Sequence, residues 1–140
     1  MSEINIVEID TSVDDRGYLR YCNSFNLSSY VRFYDVINYQ SNFIRAWHGH
    51  KNESKAAMVR EGSALICLVK VDDWKKPSNK LEIKKYFLSQ KNPKVLEIPA
   101  GYANGFMSLE PSTKITFYSD KNTKDSLGDD YRFDYNFWNP

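Results

Sequence analysis

Short segments in which apolar and polar residues alternate occupy most of this chain. Six such segments, each five to eight positions long, are residues 31–37, 64–71, 81–88, 94–98, 105–109 and 114–118. Turn residues such as Asp15-Arg16-Gly17 and Asn92-Pro93 separate such segments, and no apolar stripe at helical spacing exceeds two turns. Many short strands with frequent turns indicate a sandwich or barrel. We therefore predict an all-β, antiparallel fold, with a polar loop at 123–128 and an aromatic segment at 133–140 that packs back on the body.

Length, charge and cysteine content narrow the class of protein. The 140 residues suit one domain spanning 1–140. A net charge of +1 gives no argument for nucleic-acid binding. No apolar run reaches the ~18 residues of a membrane span, and the N-terminus lacks a signal-peptide core. Cys22 and Cys67 are too few for a disulfide framework, and the apolar surroundings of Cys67 predict burial. We expect a reduced, cytoplasmic protein with neither nucleic-acid nor membrane partners.

The two histidines of the chain stand two positions apart, at His48 and His50. Residues i and i+2 of a strand point to the same face, so both imidazoles are expected to face one space. Their unperturbed pKa of ~6.5 suits proton transfer near neutral pH. Arg45 and Lys55 flank them and make the surface attractive to anions. Residues 98–106 contain a Pro-x-Gly turn that leads into an apolar strand, and we expect this strand to line the same cavity.

The order of the motifs resembles the dTDP-4-dehydrorhamnose 3,5-epimerase family over nearly the whole chain. The matching pieces are Asp15-Arg16-Gly17, Arg45-Ala46-Trp47-His48, Lys55, residues 98–106, Tyr118 and Trp138-Asn139-Pro140. The resemblance implies a cupin-type antiparallel β-sandwich or jelly roll that forms a homodimer. It also implies a nucleoside-diphosphate 4-keto-6-deoxyhexose as substrate, in the synthesis of surface polysaccharide sugars, and chemistry that needs no cofactor and no metal.

The resemblance also implies a role for five residues. His48 matches the base that removes a proton next to the ketone. Lys55 matches the cation that stabilises the resulting enolate oxygen. Tyr118 matches the acid that returns a proton to the opposite face of the sugar. Arg16 and Arg45 match arginines that hold the substrate, since forked guanidinium groups suit diphosphate oxygens.

Two departures from the family pattern bear on the reaction. Asn104 stands where the family has a second active-site histidine, and we expect it to contact substrate in the cavity. The family's C-terminal aspartate, which pairs with the base, has no counterpart in the sequence. Other candidate carboxylate partners for His48 are Asp35, Asp120 and Asp134. These departures leave epimerisation at C3, at C5 or at both carbons open.

Three alternatives remain open from the residues alone. The His-x-His pair is similar to that of the sugar 3,4-ketoisomerases, and we expect His50 to contact substrate in either reaction. A sugar-binding cupin without turnover would keep the same pocket. A metal cupin would use His48, His50 and Glu53, but Asn104 occupies the place of the third histidine and an amide is a poor ligand for zinc or iron.

Overall fold

A computed structural model describes residues 3–140. Its elements in chain order are β1 (Asn5–Glu8), β2 (Asp10–Asp14), β3 (Gly17–Tyr21), a 3₁₀ turn (Leu27–Ser29), β4 (Arg32–Asn38), β5 (Ile44–His50), β6 (Lys55–Glu61), β7 (Ser63–Lys70), β8 (Lys84–Ser89), β9 (Lys94–Ile98), β10 (Tyr102–Ser108), β11 (Thr113–Ser119), α1 (Thr123–Leu127) and β12 (Tyr131–Arg132). The predicted all-β class is confirmed. Among the described residues, no helix has the length and apolar character needed to cross a bilayer.

Two antiparallel five-stranded sheets face each other, which is the cupin-type sandwich. One sheet has the order β1-β9-β6-β11-β4 and the other the order β12-β5-β10-β7-β8, while β2 and β3 form a separate hairpin. The β10–β5 register slips between Asn104 and Phe106. A Cβ atom at Gly105 would lie 2.8 Å from the Cβ of Ala46, so only glycine allows the two strands to approach so closely at this slip.

The core lies between the two sheets and follows from the period-two alternation. In β11, Ile115 and Phe117 point inward, and Phe117 packs against Phe106 of the facing sheet with ring centroids 5.4 Å apart. The buried members of this cluster are Ala57, Val59, Ala64, Ile66, Leu68, Leu88, Leu96, Ile98, Tyr102, Phe106, Ile115 and Phe117. Burial of these side chains contributes roughly 1.5–3 kcal/mol each for the larger residues. The core fills the middle of the sandwich and leaves one end to polar side chains.

Local differences from the predicted elements occur at β8 and near the C-terminus. The strand predicted at 81–88 begins only at Lys84, and residues 81–83 lie before it. The predicted loop at 123–128 instead contains α1, whose first turn is capped because the Asn122 side chain accepts a hydrogen bond from the Asp125 amide (2.8 Å). Cys67 is buried, as predicted.

The C-terminal segment packs back on the body, as predicted, and it completes one wall of the sandwich. Trp138 is 1% exposed and stands perpendicular to Trp47, with ring centroids 5.4 Å apart. Its indole N–H donates to the carbonyl of Ser78 (2.9 Å). This anchoring holds β12 against β5, with Arg132 opposite His48 in the register.

Candidate active site

A cavity of about 290 Å³ opens between the two sheets at their polar end. Five strands and the C-terminal segment line it: Arg32, Tyr34 and Val36 from β4; Arg45, His48 and His50 from β5; Lys55 from β6; Asn104 and Phe106 from β10; Phe117 from β11; and Ser126, Leu127, Asp130 and Arg132. Convergence of several ionisable side chains in one concave space is the usual mark of a binding or catalytic site. The structure thus brings together five of the seven predicted site residues: Arg45, His48, His50, Lys55 and Asn104.

His48 stands half-buried on β5, opposite Asn104 of β10. The Asn104 amide donates to the His48 carbonyl (3.3 Å), which ties the two strands together beside the cavity. Burial lowers the pKa of His48, and the Arg132 guanidinium lowers it further, whereas Asp130 opposes the shift. The ring is therefore neutral at pH 7, the state in which an imidazole accepts a proton.

Glu53, which the sequence analysis considered only as a metal ligand, forms a buried charge cluster beside the cavity. Its carboxylate is buried, at 2% exposure, and accepts hydrogen bonds from Ser119 Oγ (2.6 Å) and Ser126 Oγ (2.5 Å). Arg32 Nη2 and Lys55 Nζ lie 3.5 and 3.8 Å from it. Burial raises the pKa of Glu53, but the two hydroxyl donors and the Lys55 charge outweigh burial and bring the pKa below its ordinary value. Glu53 therefore carries a negative charge at neutral pH and balances the cations around it.

Lys55 and Tyr34 form a second pair across the cavity from His48. The Lys55 ammonium, 8% exposed, donates to the Tyr34 hydroxyl (2.8 Å). The Tyr34 ring stacks on Phe117 with centroids 5.3 Å apart, so the hydroxyl is held in place. Tyr34 was not a sequence candidate; its period-two position with Arg32, on the inward face of β4, is the signal that could have identified it.

The prediction for Tyr118 needs a correction. Tyr118 follows Phe117 directly, so it points to the opposite face of β11 and away from the cavity. Its ring packs edge-on against Phe25, with centroids 5.3 Å apart. Its hydroxyl accepts a hydrogen bond from Arg60 Nη2 (3.0 Å). Tyr118 therefore belongs to the outer surface of the sheet.

Arg16 also lies outside the cavity within one chain. It is on the turn of the β2–β3 hairpin, where its guanidinium pairs with Asp14 (2.6 Å) and its side chain is exposed. Arg45, in contrast, lines the cavity, and its Nε donates to the Asn38 side chain (2.7 Å). This bond orients Arg45 at the mouth of the pocket.

The predicted carboxylate partners of His48 are likewise elsewhere. Asp35 accepts from Thr116 on the outer face (2.6 Å), Asp120 accepts from the Ser54 amide (2.9 Å), and Asp134 lies in a turn. Asp130 lines the cavity instead, paired with Arg132 (3.1 Å). Within residues 3–140, no three or more His, Cys, Asp or Glu side chains are grouped so as to hold a metal ion.

The fold and the cavity together define a cupin-type sandwich with a cation-rich acid–base pocket. A family model described as dTDP-4-dehydrorhamnose 3,5-epimerase matches residues 1–128. The chain therefore belongs to the dTDP-4-dehydrorhamnose 3,5-epimerase family, a family of isomerases. None of the curated proteins compared with the chain matches it.

Solved structures share this fold over almost the whole chain. An epimerase of this family from Bacillus anthracis, solved with TDP and PPi bound, has 25% identity and a TM-score of 0.80, covering 96% of this chain and 80% of its own. A 3′-monoepimerase from Streptomyces bikiniensis, in complex with dTDP-quinovose, has 14% identity and a TM-score of 0.74, covering 94% and 70%. A 3,4-ketoisomerase from Helicobacter canadensis has 18% identity and a TM-score of 0.71, covering 98% and 96%.

Proposed function

We propose that this protein epimerises a nucleoside-diphosphate 4-keto-6-deoxyhexose at a carbon next to the ketone, at C3, C5 or both. The observation that carries the proposal is the pairing, in one cavity, of a neutral imidazole on one sheet with a lysine ammonium on the other. Family membership supports the substrate class. We further propose a cytoplasmic location and a place in the synthesis of surface polysaccharide sugars.

The reaction needs only this chain's side chains. A 4-keto group acidifies the neighbouring C–H bonds, and the neutral imidazole of His48 takes one proton and becomes an imidazolium. The electron pair of the broken C–H bond moves onto the ketone oxygen. The Lys55 ammonium, desolvated and fixed in position, stabilises that enolate oxygen. Return of a proton to the opposite face of the same carbon completes the inversion without cofactor or metal.

Tyr34 is the group we propose for returning the proton, in the role that the sequence assigned to Tyr118. It lies on β4 of one sheet, whereas His48 lies on β5 of the other, so the two side chains act from opposite walls. Inversion requires a donor opposite the base. The Lys55 ammonium donates to the Tyr34 hydroxyl oxygen (2.8 Å) and holds this hydroxyl in the cavity.

Arginines at the mouth of the cavity suit the diphosphate. Arg45 is oriented by Asn38, and Arg132 lies on β12 beside His48. Guanidinium groups bind phosphate oxygens in a bidentate manner. We propose that Arg45 and Arg132 bind the diphosphate and direct the sugar inward, with Asn104 contacting the sugar from β10.

A 3,4-ketoisomerase is the second candidate, favoured by the two histidines that line one wall. In that reaction the proton removed from C3 is delivered to C4, and the proton of the C3 hydroxyl passes to the C4 oxygen, so two neighbouring acid–base groups are useful. The final product distinguishes the two reactions, since both begin with proton removal next to the ketone.

Deuterium incorporation tests the proposed function. The protein is incubated in D2O with dTDP-4-keto-6-deoxyglucose, and C3 and C5 of the sugar are followed separately by NMR. Label at C3, C5 or both, with inversion, is the expected result. A 3-keto product would transfer the function to the ketoisomerase class. Binding of the nucleotide sugar without label would contradict both reactions and leave a sugar-binding protein.

A homodimer is proposed for the assembly. The outer face of the β1-β9-β6-β11-β4 sheet and the adjacent hairpin expose large apolar side chains, among them Phe33 at 67%, Val13 at 75% and Leu19 at 65%. Apolar surface of this extent is typical of protein interfaces. Sedimentation equilibrium is expected to give twice the 16.4 kDa chain mass. A single-chain mass, unchanged between low and high micromolar protein, would contradict the dimer.

A further inference from the structure

His50 is held by one ring nitrogen and faces the cavity with the side chain almost fully buried. The residue is 6% exposed. Its Nδ1–H donates to the carbonyl oxygen of Asp129 (2.8 Å). A carbonyl oxygen only accepts, so the proton of the neutral ring is on Nδ1 and Nε2 is an acceptor. In the part of the chain that the structure describes, Nε2 is buried and has no hydrogen-bond partner.

The carboxylate of Glu53, three residues further along the chain, lies beside the same ring. The Asp129 carboxylate accepts from the backbone amides of Lys51, Asn52 and Glu53 (2.8, 2.8 and 2.9 Å), which folds this segment into a tight turn. The turn places Glu53 Oε1 3.5 Å from His50 Nδ1. The Ser119 and Ser126 hydroxyls donate to the Glu53 carboxylate and hold it in place, so this carboxylate has little freedom to move away from His50.

We propose that Glu53 is a positioning residue: together with the Asp129 carbonyl it keeps the His50 proton on Nδ1, so that Nε2 faces the sugar as a proton acceptor and His50 is a second acid–base group. This inference rests on the proposed function, because it assigns a role in the same enolisation. A proton taken from carbon forms an N–H bond at Nε2. The same N–H bond breaks when the proton returns to carbon, so the ring ends neutral.

Electrostatics around His50 suit a reversible acceptor. Burial lowers the pKa of His50, and Lys55 on β6 lowers it further, while Glu53 and the Asp129 carbonyl raise it. The other charged or titratable groups lining this cavity come from three elements: Arg32 and Tyr34 from β4, Arg45 and His48 from β5, and Asp130 and Arg132 from the C-terminal segment. The ring is neutral at pH 7, and the imidazolium formed during reaction lies next to the negative Glu53, which limits the cost of charging a buried ring.

The tautomer of His50 can be read without any substrate. With only two histidines in the chain, ¹⁵N-histidine labelling gives two ring spin systems, and His48→Asn assigns them. The expected wild-type spectrum shows His50 with a protonated Nδ1 and an unprotonated Nε2 at pH 7.5.

In Glu53→Gln the carboxamide can donate to Nδ1, so we expect the population of the Nε2–H tautomer to grow and the His50 pKa to fall. Glu53→Asp should keep the Nδ1–H form. An Nε2–H tautomer in the wild type would overturn the proposal, and that measurement does not depend on any Glu53 variant folding.

The kinetic arm uses deuterium exchange into the sugar. Glu53→Gln is expected to lower kcat for exchange by about 10- to 100-fold, the scale found when the partner that orients a metal-bound imidazole is removed, with KM changing little. Glu53→Asp should recover most of the loss. The matched control is Glu97→Gln, the same change at a carboxylate bound to Tyr30 outside the cavity (3.0 Å), which should leave exchange unchanged.

The two proposals fail in different ways. If the wild type exchanges deuterium, and Glu53→Gln changes neither the exchange rate nor the His50 tautomer, only the positioning role of Glu53 is overturned. Absence of exchange in the wild type overturns the proposed function, and with it the acid–base role of His50, even if the Nδ1–H tautomer is observed.

Discussion

Replacement of His48 by asparagine is expected to lower deuterium incorporation into the 4-keto sugar by about 10²–10⁴-fold, the usual contribution of a general base. His48 lines the cavity, and burial together with Arg132 holds its pKa below the ordinary value, so the wild-type ring is ready to accept a proton. Asparagine keeps a polar group of similar reach but has no basic nitrogen. The measurement is the rate of label entry at C3 and C5 under single-turnover conditions.

Two controls make this result specific to the base. Thermal unfolding of His48→Asn should resemble that of the wild type, because His48 is only half-buried and its backbone carbonyl still accepts from Asn104. Binding of dTDP should persist, since Arg45 and Arg132 are untouched. An exchange rate within a few-fold of the wild type would remove His48 from the role of base and leave His50 as the remaining imidazole of the pocket.

Replacement of Tyr34 by phenylalanine should lower the rate of inversion by about 10²-fold or more, the lower end of the range for loss of a general acid. The change removes one hydroxyl and preserves the ring that stacks on Phe117. It also removes the hydrogen-bond acceptor of the Lys55 ammonium (2.8 Å). Because proton removal by His48 does not require the Tyr34 proton, we expect inversion to fall more than the wash-in of label on the original face.

The matched control is Tyr118→Phe, the same chemical change on the outer face of the neighbouring strand. It removes only a hydrogen bond donated by Arg60 (3.0 Å), so inversion and label entry should stay within about twofold of the wild type. The reverse pattern, with Tyr118→Phe inactive and Tyr34→Phe active, would return the role of acid to Tyr118. It would also contradict the strand orientation described above.

Much of the fold was predictable because strands are read from local alternation. The predicted 94–98 strand is confirmed as β9, and 64–71 and 114–118 match β7 and β11 to within a residue at each end. The placement of His48 and His50 on one face follows from the same period of two, and both line the cavity. These predictions needed only neighbours in sequence, since side-chain direction along a strand is a local property.

The choice of tyrosine depended on one residue of register. The motif order pointed to Tyr118, but a shift by a single position moves a side chain to the other face of its strand. Phe117 faces the cavity, and the tyrosine that reaches it, Tyr34, comes from the partner strand directly opposite Phe117 in the β11–β4 register. No spacing within the sequence relates residues so far apart.

The sequence by itself determined the all-β class, the two-histidine wall with Arg45 and Lys55 beside it, and the resemblance that leads to the reaction. Only the tertiary structure decided which carboxylates lie beside these histidines. Glu53 reaches His50 because Asp129, 76 to 78 positions from the amides it binds, folds the intervening turn. Such contacts depend on how distant strands and the C-terminal segment pack together. Their geometry is a property of the assembled sandwich and leaves no periodic signal along the chain.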